Sequence, residues 1–257
     1  MGTVSKALGL LGILAQPDAR HGLTEIARLS GYDKATTRRL LVELKDQGFV
    51  EQDEQTRAYL LGPTLLMLGR AREDRFPFLK IALPVVRSLA EASGETAHAS
   101  EYAAGAMASV CSQESDKSNR VIVPDGERLP LHATASGLAY LSASAAGFVD
   151  ATLGKALPGY ATNTLTDPDA LRRLIATARG QGYALCNQLR ADGVCSVASP
   201  ILGPRGTPVG AIAVAMPSVR ADAAKLAAAG ALAAQAAADI SIRLFGKAAT
   251  AHRARKP

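Results

Sequence analysis

Apolar residues recur at helical spacing from the start of the chain, where Val4, Leu8, Leu11 and Leu14 fall on one face of an amphipathic helix. QPDARHG at 16–22 reads as a loop, and Leu23 to Leu29 as a short second helix with Thr24 at its N-cap. Ser30-Gly31-Tyr32 breaks that helix. Asp33 is the next capping residue, and Leu40, Leu41 and Leu44 give a third helix its buried stripe until Gly48 ends it in a left-handed cap. Residues 49–53 and 57–61 flank the polar Glu54-Gln55-Thr56 and read as a two-stranded hairpin. Three helices followed by a hairpin is the order of a winged helix-turn-helix. Gly62-Pro63 closes this unit, and Thr64 is read as the cap of a linker helix running to about Asp74.

From about Arg75 the pattern changes to alternating strands and helices. A helix is expected around Leu83–Ala92, strands near Thr96–Tyr102, Ala106–Gln113 and Arg120–Val123, and a helix from near Ala135. Another helix at Pro168–Gln181 precedes strands at Val194–Leu202 and Val209–Met216, which flank the turn Gly203-Pro204-Arg205-Gly206. Alanine fills twelve of the eighteen positions from Ala221 to Ala238, a sign of high helix propensity rather than of chemistry. A mixed or antiparallel sheet with flanking helices suits a small-molecule-binding α/β or α+β domain.

Composition adds little until it is partitioned. The 257 residues are 48% hydrophobic and 20% charged, within the range of folded proteins, and carry a formal net charge of +6. Residues 1–75 hold eleven Lys/Arg against ten Asp/Glu, residues 76–245 hold fourteen against thirteen, and residues 246–257 hold four against none. The excess sits in the tail GKAATAHRARKP, expected to be a solvated, flexible terminus. Bulk basicity is therefore no argument for nucleic acid, whereas the +3 over residues 34–39 is a local one. Cys111, Cys186 and Cys195 form no CxxC pair, which excludes a disulfide framework or zinc ribbon and fits a reducing, cytoplasmic setting. The apolar stretch Ala7–Ala15 is short for a signal peptide, and no run approaches the ~20 apolar residues of a membrane span.

Four stretches taken together resemble the IclR family of bacterial transcriptional regulators. They are Ser5-Lys6-Ala7-Leu8, LTEIARLSGYDKATTRRLLVEL at 23–44 with YLLG at 59–62, PLHATASGLAYLS at 130–142, and GYA at 182–184 running into VASPILGPRGTPVG at 197–210. The resemblance implies an α+β protein with a winged helix-turn-helix at 1–62, a linker helix at 63–75, a GAF-like effector-binding domain at 76–247 and the basic tail at 248–257. It further implies a small-molecule effector and homodimers or tetramers; a dimer would set two recognition helices on palindromic or near-palindromic operator DNA, and the scattered spacing of His98, His132 and the cysteines offers no zinc-ligand pair, so neither a metal nor another cofactor is expected.

In the third helix, Ala35, Thr36, Arg38 and Arg39 point outwards if Leu40, Leu41 and Leu44 face the core, and Lys34 stands at the first turn. Thr36 and Arg38 are assigned to base edges, and Lys34 and Arg39 to phosphate. Thr37 lies one turn before the core stripe but completes the candidate segment 34–39. Arg57 on the hairpin is a candidate minor-groove or phosphate contact. The same charges would suit a plain solvated helix face; the surrounding turn and hairpin favour DNA.

In PLHATASG, Thr134 can cap a helix whose first free amides, at Ala135, Ser136 and Gly137, form an anion-binding end. The family resemblance adds Cys186, Ser196, Ala213 and Ala215, and strand alternation places Ala198 beside Ser196. Ser100 and Cys111 are candidate linings from the earlier strands, Cys111 being equally suited to the core. Against the family pattern, acidic residues after GYA are replaced by Cys186-Asn187-Gln188, a common lysine is Leu138, and serines of a glyoxylate-responsive member are Ala213 and Ala215. A ligand with one acidic end and a larger apolar body is expected, an aromatic or short-chain carboxylic acid. The competing reading is a small enzyme acting on such acids, with Cys195 or Ser136 as nucleophile and His98 or His132 as base. A nucleic-acid architectural role driven by the tail is a third.

Overall fold

The computed structural model describes residues 2–16 and 19–246; the basic tail from residue 248 lies outside them. The chain forms two compact units that divide between Phe76 and Pro77. In the first, helices α1 (Thr3–Leu14), α2 (Leu23–Ser30) and α3 (Lys34–Asp46) precede strands β1 (Val50–Gln52) and β2 (Tyr59–Leu61), and α4 (Thr64–Arg75) follows. Leu10, Leu14, Ile26, Leu40, Leu41, Val50 and Tyr59 make its core.

The apolar face of α1 is rotated from the one expected. Leu10 and Leu14 are buried with Ala7 and Leu11 packed beside them, whereas Val4 is 73% and Leu8 60% exposed. Apolar residues at 4, 8, 10, 11 and 14 satisfy two overlapping helical stripes, and packing against the rest of the unit selects the one containing Leu10. Two caps also differ. Helix α2 begins at Leu23 with Gly22 as its N-cap, so Thr24 lies inside the helix. Thr64 is the first residue of α4 rather than its cap, and its hydroxyl donates to the Gln47 carbonyl, tying α4 to the end of α3. The turn between α2 and α3 is built as its residues dictate: Gly31 takes the left-handed conformation, and the Asp33 carboxylate accepts from the Thr36 amide at 2.8 Å.

The second unit runs α5 (Phe78–Ser93), β3 (Thr96–Ala103), β4 (Ala106–Gln113), β5 (Arg128–Pro130), α6 (Ala135–Ala143), α7 (Ala146–Leu153) and α8 (Pro168–Gln181). Strands β6 (Ala184–Asn187), β7 (Val194–Leu202) and β8 (Pro208–Pro217) follow, and α9 (Ala223–Phe245) ends the described fold. The six strands lie in the order β5-β4-β3-β8-β7-β6 with every neighbouring pair antiparallel, so the expected α+β class takes its antiparallel form. Along β8 alternate residues serve opposite faces. Ala211 and Ala213 cluster with Leu138 and Ala139 of α6, while Gly210 faces Phe78 of α5.

The β-branched run expected as a strand at Arg120–Val123 is not one. It is an irregular segment, tied to the start of β3 by the Thr96 hydroxyl, which donates to the Val121 carbonyl at 2.6 Å. Strands β5 and β6 and helix α7 lie where no sequence pattern announced them.

Gly137 shows why a small residue stands near the start of α6. A Cβ there would lie 2.4 Å from the Leu131 Cα and carbonyl oxygen, inside any real contact distance. Gly137→Ala is therefore expected to destabilise the second unit by about 2–3 kcal/mol through overpacking against backbone, read as a lowered melting temperature.

Candidate DNA-binding face and effector cavity

Helix α3 packs through Thr37, Leu40 and Leu41, and its other face is open to solvent. Lys34, Ala35, Arg38 and Arg39 are exposed, and Thr36 is half-buried. Thr37 departs from its assignment: it is fully buried and its hydroxyl donates to the Asp33 carbonyl at 2.9 Å, so it shapes the helix start instead of facing a groove. Thr36 donates both its amide and its hydroxyl to the Asp33 carboxylate. These donations hold the Asp33 carboxyl below its ordinary pKa.

Arg57 stands on the hairpin loop with φ +59°, a left-handed conformation that costs a residue bearing a Cβ about 1 kcal/mol. The loop is wound around Asp53, whose carboxylate accepts from the amides of Gln55 and Thr56. Glycine would suit the Arg57 position better on backbone grounds alone. Arg57→Gly is expected to raise the stability of the first unit by up to about 1 kcal/mol while weakening DNA binding several-fold, measured by melting and by fluorescence anisotropy.

In the second unit a cavity of about 440 Å³ opens beside the start of α6. Ala135, Ser136, Ser196, Ala213 and Ala215 line it, as the sequence led one to expect. Thr134 caps α6 by accepting from the Gly137 amide at 3.1 Å. Helix geometry leaves the amides of Ala135 and Ser136 without intrahelical acceptors, so two backbone donors remain at the cavity wall. The Gly137 amide is taken by the cap, and Gly137 is not among the lining residues.

Four further expected residues stand outside the lining, each for a visible reason. Cys111 pairs with Ala99, one residue out of step with the His98–Ala213 pair, and so points to the opposite face of the sheet. Ser100 is buried opposite Ala211, and its hydroxyl donates to that residue's carbonyl at 3.5 Å. Ala198 packs in the cluster beneath α6. Cys186 donates its thiol to the Ala133 carbonyl, and burial pushes its pKa up to about 11.

The cavity also contains residues the sequence reading did not assign to it. His98 on β3 forms a 3.2 Å contact between Nε2 and the Ser136 hydroxyl, while its Nδ1 is buried with no hydrogen-bond partner. Burial lowers its pKa to about 4, so the ring is neutral at physiological pH. A neutral imidazole carries one N–H; on Nε2 it finds the Ser136 oxygen, and on Nδ1 it would find nothing. With the proton on Nε2 the ring donates to Ser136 and leaves the Ser136 O–H to donate at the helix start; with the proton on Nδ1 the Ser136 O–H donates to the ring instead. The irregular segment contributes Asn119 to Val123, and the loops at the mouth contribute Glu127 and Arg190.

The same geometry bears on catalysis. Ser136 and His98 have the spacing of a nucleophile and a base, but Nδ1 has no hydrogen-bond partner, so no carboxylate orients the ring. His132 is engaged with the Pro158 carbonyl at 3.0 Å, and the Cys195 thiol donates to Asn187 Oδ1 at 3.2 Å. Burial raises the Cys195 pKa, which disfavours a thiolate. Among the described residues no three His, Cys, Asp or Glu side chains converge to hold a metal ion.

A winged helix-turn-helix joined to an α+β unit with a lined cavity defines a transcriptional regulator with an effector domain. The family described as bacterial transcriptional regulator IclR, C-terminal, matches residues 73–242, and the IclR helix-turn-helix domain matches residues 3–54. The chain belongs to the IclR family of transcriptional regulators. The HTH-type transcriptional regulator BhcR of Paracoccus denitrificans is 33% identical over 226 residues, covering 88% of this chain and 81% of that protein. The crystal structure of an IclR transcriptional regulator from Silicibacter sp. TM1040 matches with a TM-score of 0.86 at 40% identity, over 97% of this chain and 98% of that one. An IclR homologue from Microbacterium hydrocarbonoxydans, crystallised with 4-hydroxybenzoate, shares the fold with a TM-score of 0.80 at 22% identity, over 95% of this chain and 99% of that one.

Proposed function

We propose that this regulator binds palindromic or near-palindromic operator DNA through α3 and the β1–β2 wing, and that a small carboxylic acid in the second unit's cavity controls that binding. The observation that carries the proposal is the start of α6: Ala135 and Ser136, whose amides lack intrahelical acceptors, line a cavity whose apolar wall is mostly Val and Ala with Ile122 and Leu129, and with His98 protonated on Nε2 the Ser136 hydroxyl is a third donor. Three donors suit a carboxylate, and the apolar walls suit a larger hydrocarbon body. The homologue crystallised with 4-hydroxybenzoate supports the same class of guest. Lys34, Thr36, Arg38, Arg39 and Arg57 are the proposed DNA contacts. The domain limits read from the sequence, 1–62, 63–75 and 76–247, follow the same division of labour.

The protein acts in the cytoplasm as a homodimer or tetramer on this reading. Leu66, Met67 and Leu68 of α4, each more than half exposed, supply apolar surface for association. No helix among the described residues is long and apolar enough to cross a membrane.

The test is a melting screen of small carboxylic acids against their methyl esters, followed by DNA binding with each acid that stabilises the protein. Acids, not esters, are expected to raise the melting temperature and to change operator affinity, and Ser136→Ala is expected to blunt both effects. If no acid alters either quantity, the proposal fails. The Ser136–His98 contact favours one further reading, hydrolysis of an acyl substrate; turnover of any of the esters would support it, and loss of that turnover in His98→Asn would separate it from a contaminant.

A further inference from the structure

Glu127 immediately precedes β5 and Arg190 follows β6, and these are the two edge strands of the six-stranded sheet. Five spacings of about 4.8 Å would hold the edges of a flat sheet roughly 24 Å apart. Yet Arg190 approaches Glu127 Oε1 to 3.7 Å, so the flanking loops fold towards each other over the face that carries α6. Both residues line the cavity, as do Gly193 and Pro217 on the same side as the Arg190 loop.

The pair is incompletely satisfied. A charge-assisted N–H···O bond closes to about 2.8 Å, and 3.7 Å is well beyond that. The guanidinium is held from outside by the Tyr160 ring, whose centroid lies 4.7 Å away, and its Nε is buried with no hydrogen-bond partner. Burial raises the Glu127 pKa and Arg190 opposes that rise, as expected of a carboxylate only weakly engaged. Two hydrogen bonds of about 2.8 Å close a triangle on a 3.7 Å base without moving either side chain. One oxygen that donates to Glu127 and accepts from Arg190 fits there. A second carboxylate would be repelled by Glu127, and an ammonium by Arg190.

We propose that Glu127 and Arg190 form a recognition pair for a hydroxyl group, so that the effector is a hydroxy-substituted carboxylic acid with its carboxylate at the start of α6 and its hydroxyl between these two side chains. Val121, Val123, Leu129 and Ala215, which line the same cavity, supply apolar wall for the body of such a ligand. The proposal rests on the carboxylic-acid reading above and narrows it to one substituent.

The experiment is isothermal titration calorimetry of the full chain with two matched series: benzoate, 4-hydroxybenzoate and terephthalate, and pentanoate, 5-hydroxypentanoate and glutarate. In at least one series the hydroxy acid is expected to bind about 10-fold or more tighter than both the parent acid and the diacid. Glu127→Gln and Arg190→Met are each expected to erase most of that preference, read as the ratio of hydroxy-acid to parent-acid affinity within each variant. Both positions are partly exposed at the mouth, and melting curves establish that the variants fold. Equal binding of parent and hydroxy acids in both series overturns the pair's role and leaves the acid reading standing. So does a preference for the diacid, or a hydroxyl preference that survives both substitutions. Failure of all six compounds to bind overturns the acid reading and this proposal together.

Discussion

Glu95→Gln is expected to lower the melting temperature of the second unit by about 10 °C, a loss of about 3–5 kcal/mol. The Glu95 side chain is 1% exposed and accepts from Lys117 at 3.0 Å, from Arg220 at 2.9 and 2.7 Å, and from Lys225. One carboxylate thus bridges three cations drawn from the irregular segment after β4, from the turn after β8 and from the first turn of α9. An amide has the same shape but leaves the three partly exposed cations to repel one another around a buried group that carries no charge. These hydrogen bonds outweigh desolvation and lower the carboxyl pKa from 4.5 to about 2. The depressed value makes the folded state bind its proton later than the unfolded chain does. The resulting stabilisation, about 3 kcal/mol, is fully present above the unfolded pKa and is lost as pH falls from about 4.5 towards 2. Wild type should therefore show an acid transition that Glu95→Gln lacks. Arg220 also donates to the Asn119 carbonyl, so hydrogen exchange in residues 114–123, part of the cavity wall, should accelerate in the variant. An unchanged melting temperature at neutral pH would mean that the cluster is energetically idle.

Joint replacement of Arg38 and Arg39 by alanine is expected to reduce operator affinity by about 100-fold or more at moderate salt. The two side chains flank the buried stripe of α3 and are both exposed, so neither substitution removes core packing. Their single variants should differ in kind. Arg38→Ala should relax sequence preference at one base position, whereas Arg39→Ala should weaken selected and scrambled duplexes alike and flatten the salt dependence by about one ion. Anisotropy titrations against a duplex selected from random DNA, repeated over a range of salt, distinguish the two. Identical behaviour of both variants on both duplexes would remove the assignment of Arg38 to a base edge.

What could be read in advance was what depends on neighbours in the chain. Asp33 and Thr134 cap the helices that follow them, and Gly31 and Gly48 take left-handed conformations, because each acts on residues three or four positions away. The start of α6 was legible for the same reason. His98, Glu127 and Arg190 were not, since nothing local links β3, the approach to β5 and the loop after β6; pairing and curvature of the sheet bring them to one cavity. The run Val121-Ile122-Val123 misled because β-branched residues suit a strand and a cavity wall equally well. Val4 and Leu8 misled because α1 offers two overlapping apolar stripes, and only the partner helices choose between them.

The way Asp33 holds Thr36 has a consequence for base choice. With its hydroxyl proton committed to the carboxylate at 2.7 Å, Thr36 can offer a groove only an oxygen lone pair and a methyl group. If α3 enters the major groove as proposed, Thr36 cannot donate to guanine O6 or to a purine N7. It would meet the exocyclic amine of adenine or cytosine, or the thymine methyl. A guanine at that step of the operator would have to be read by Arg38 instead.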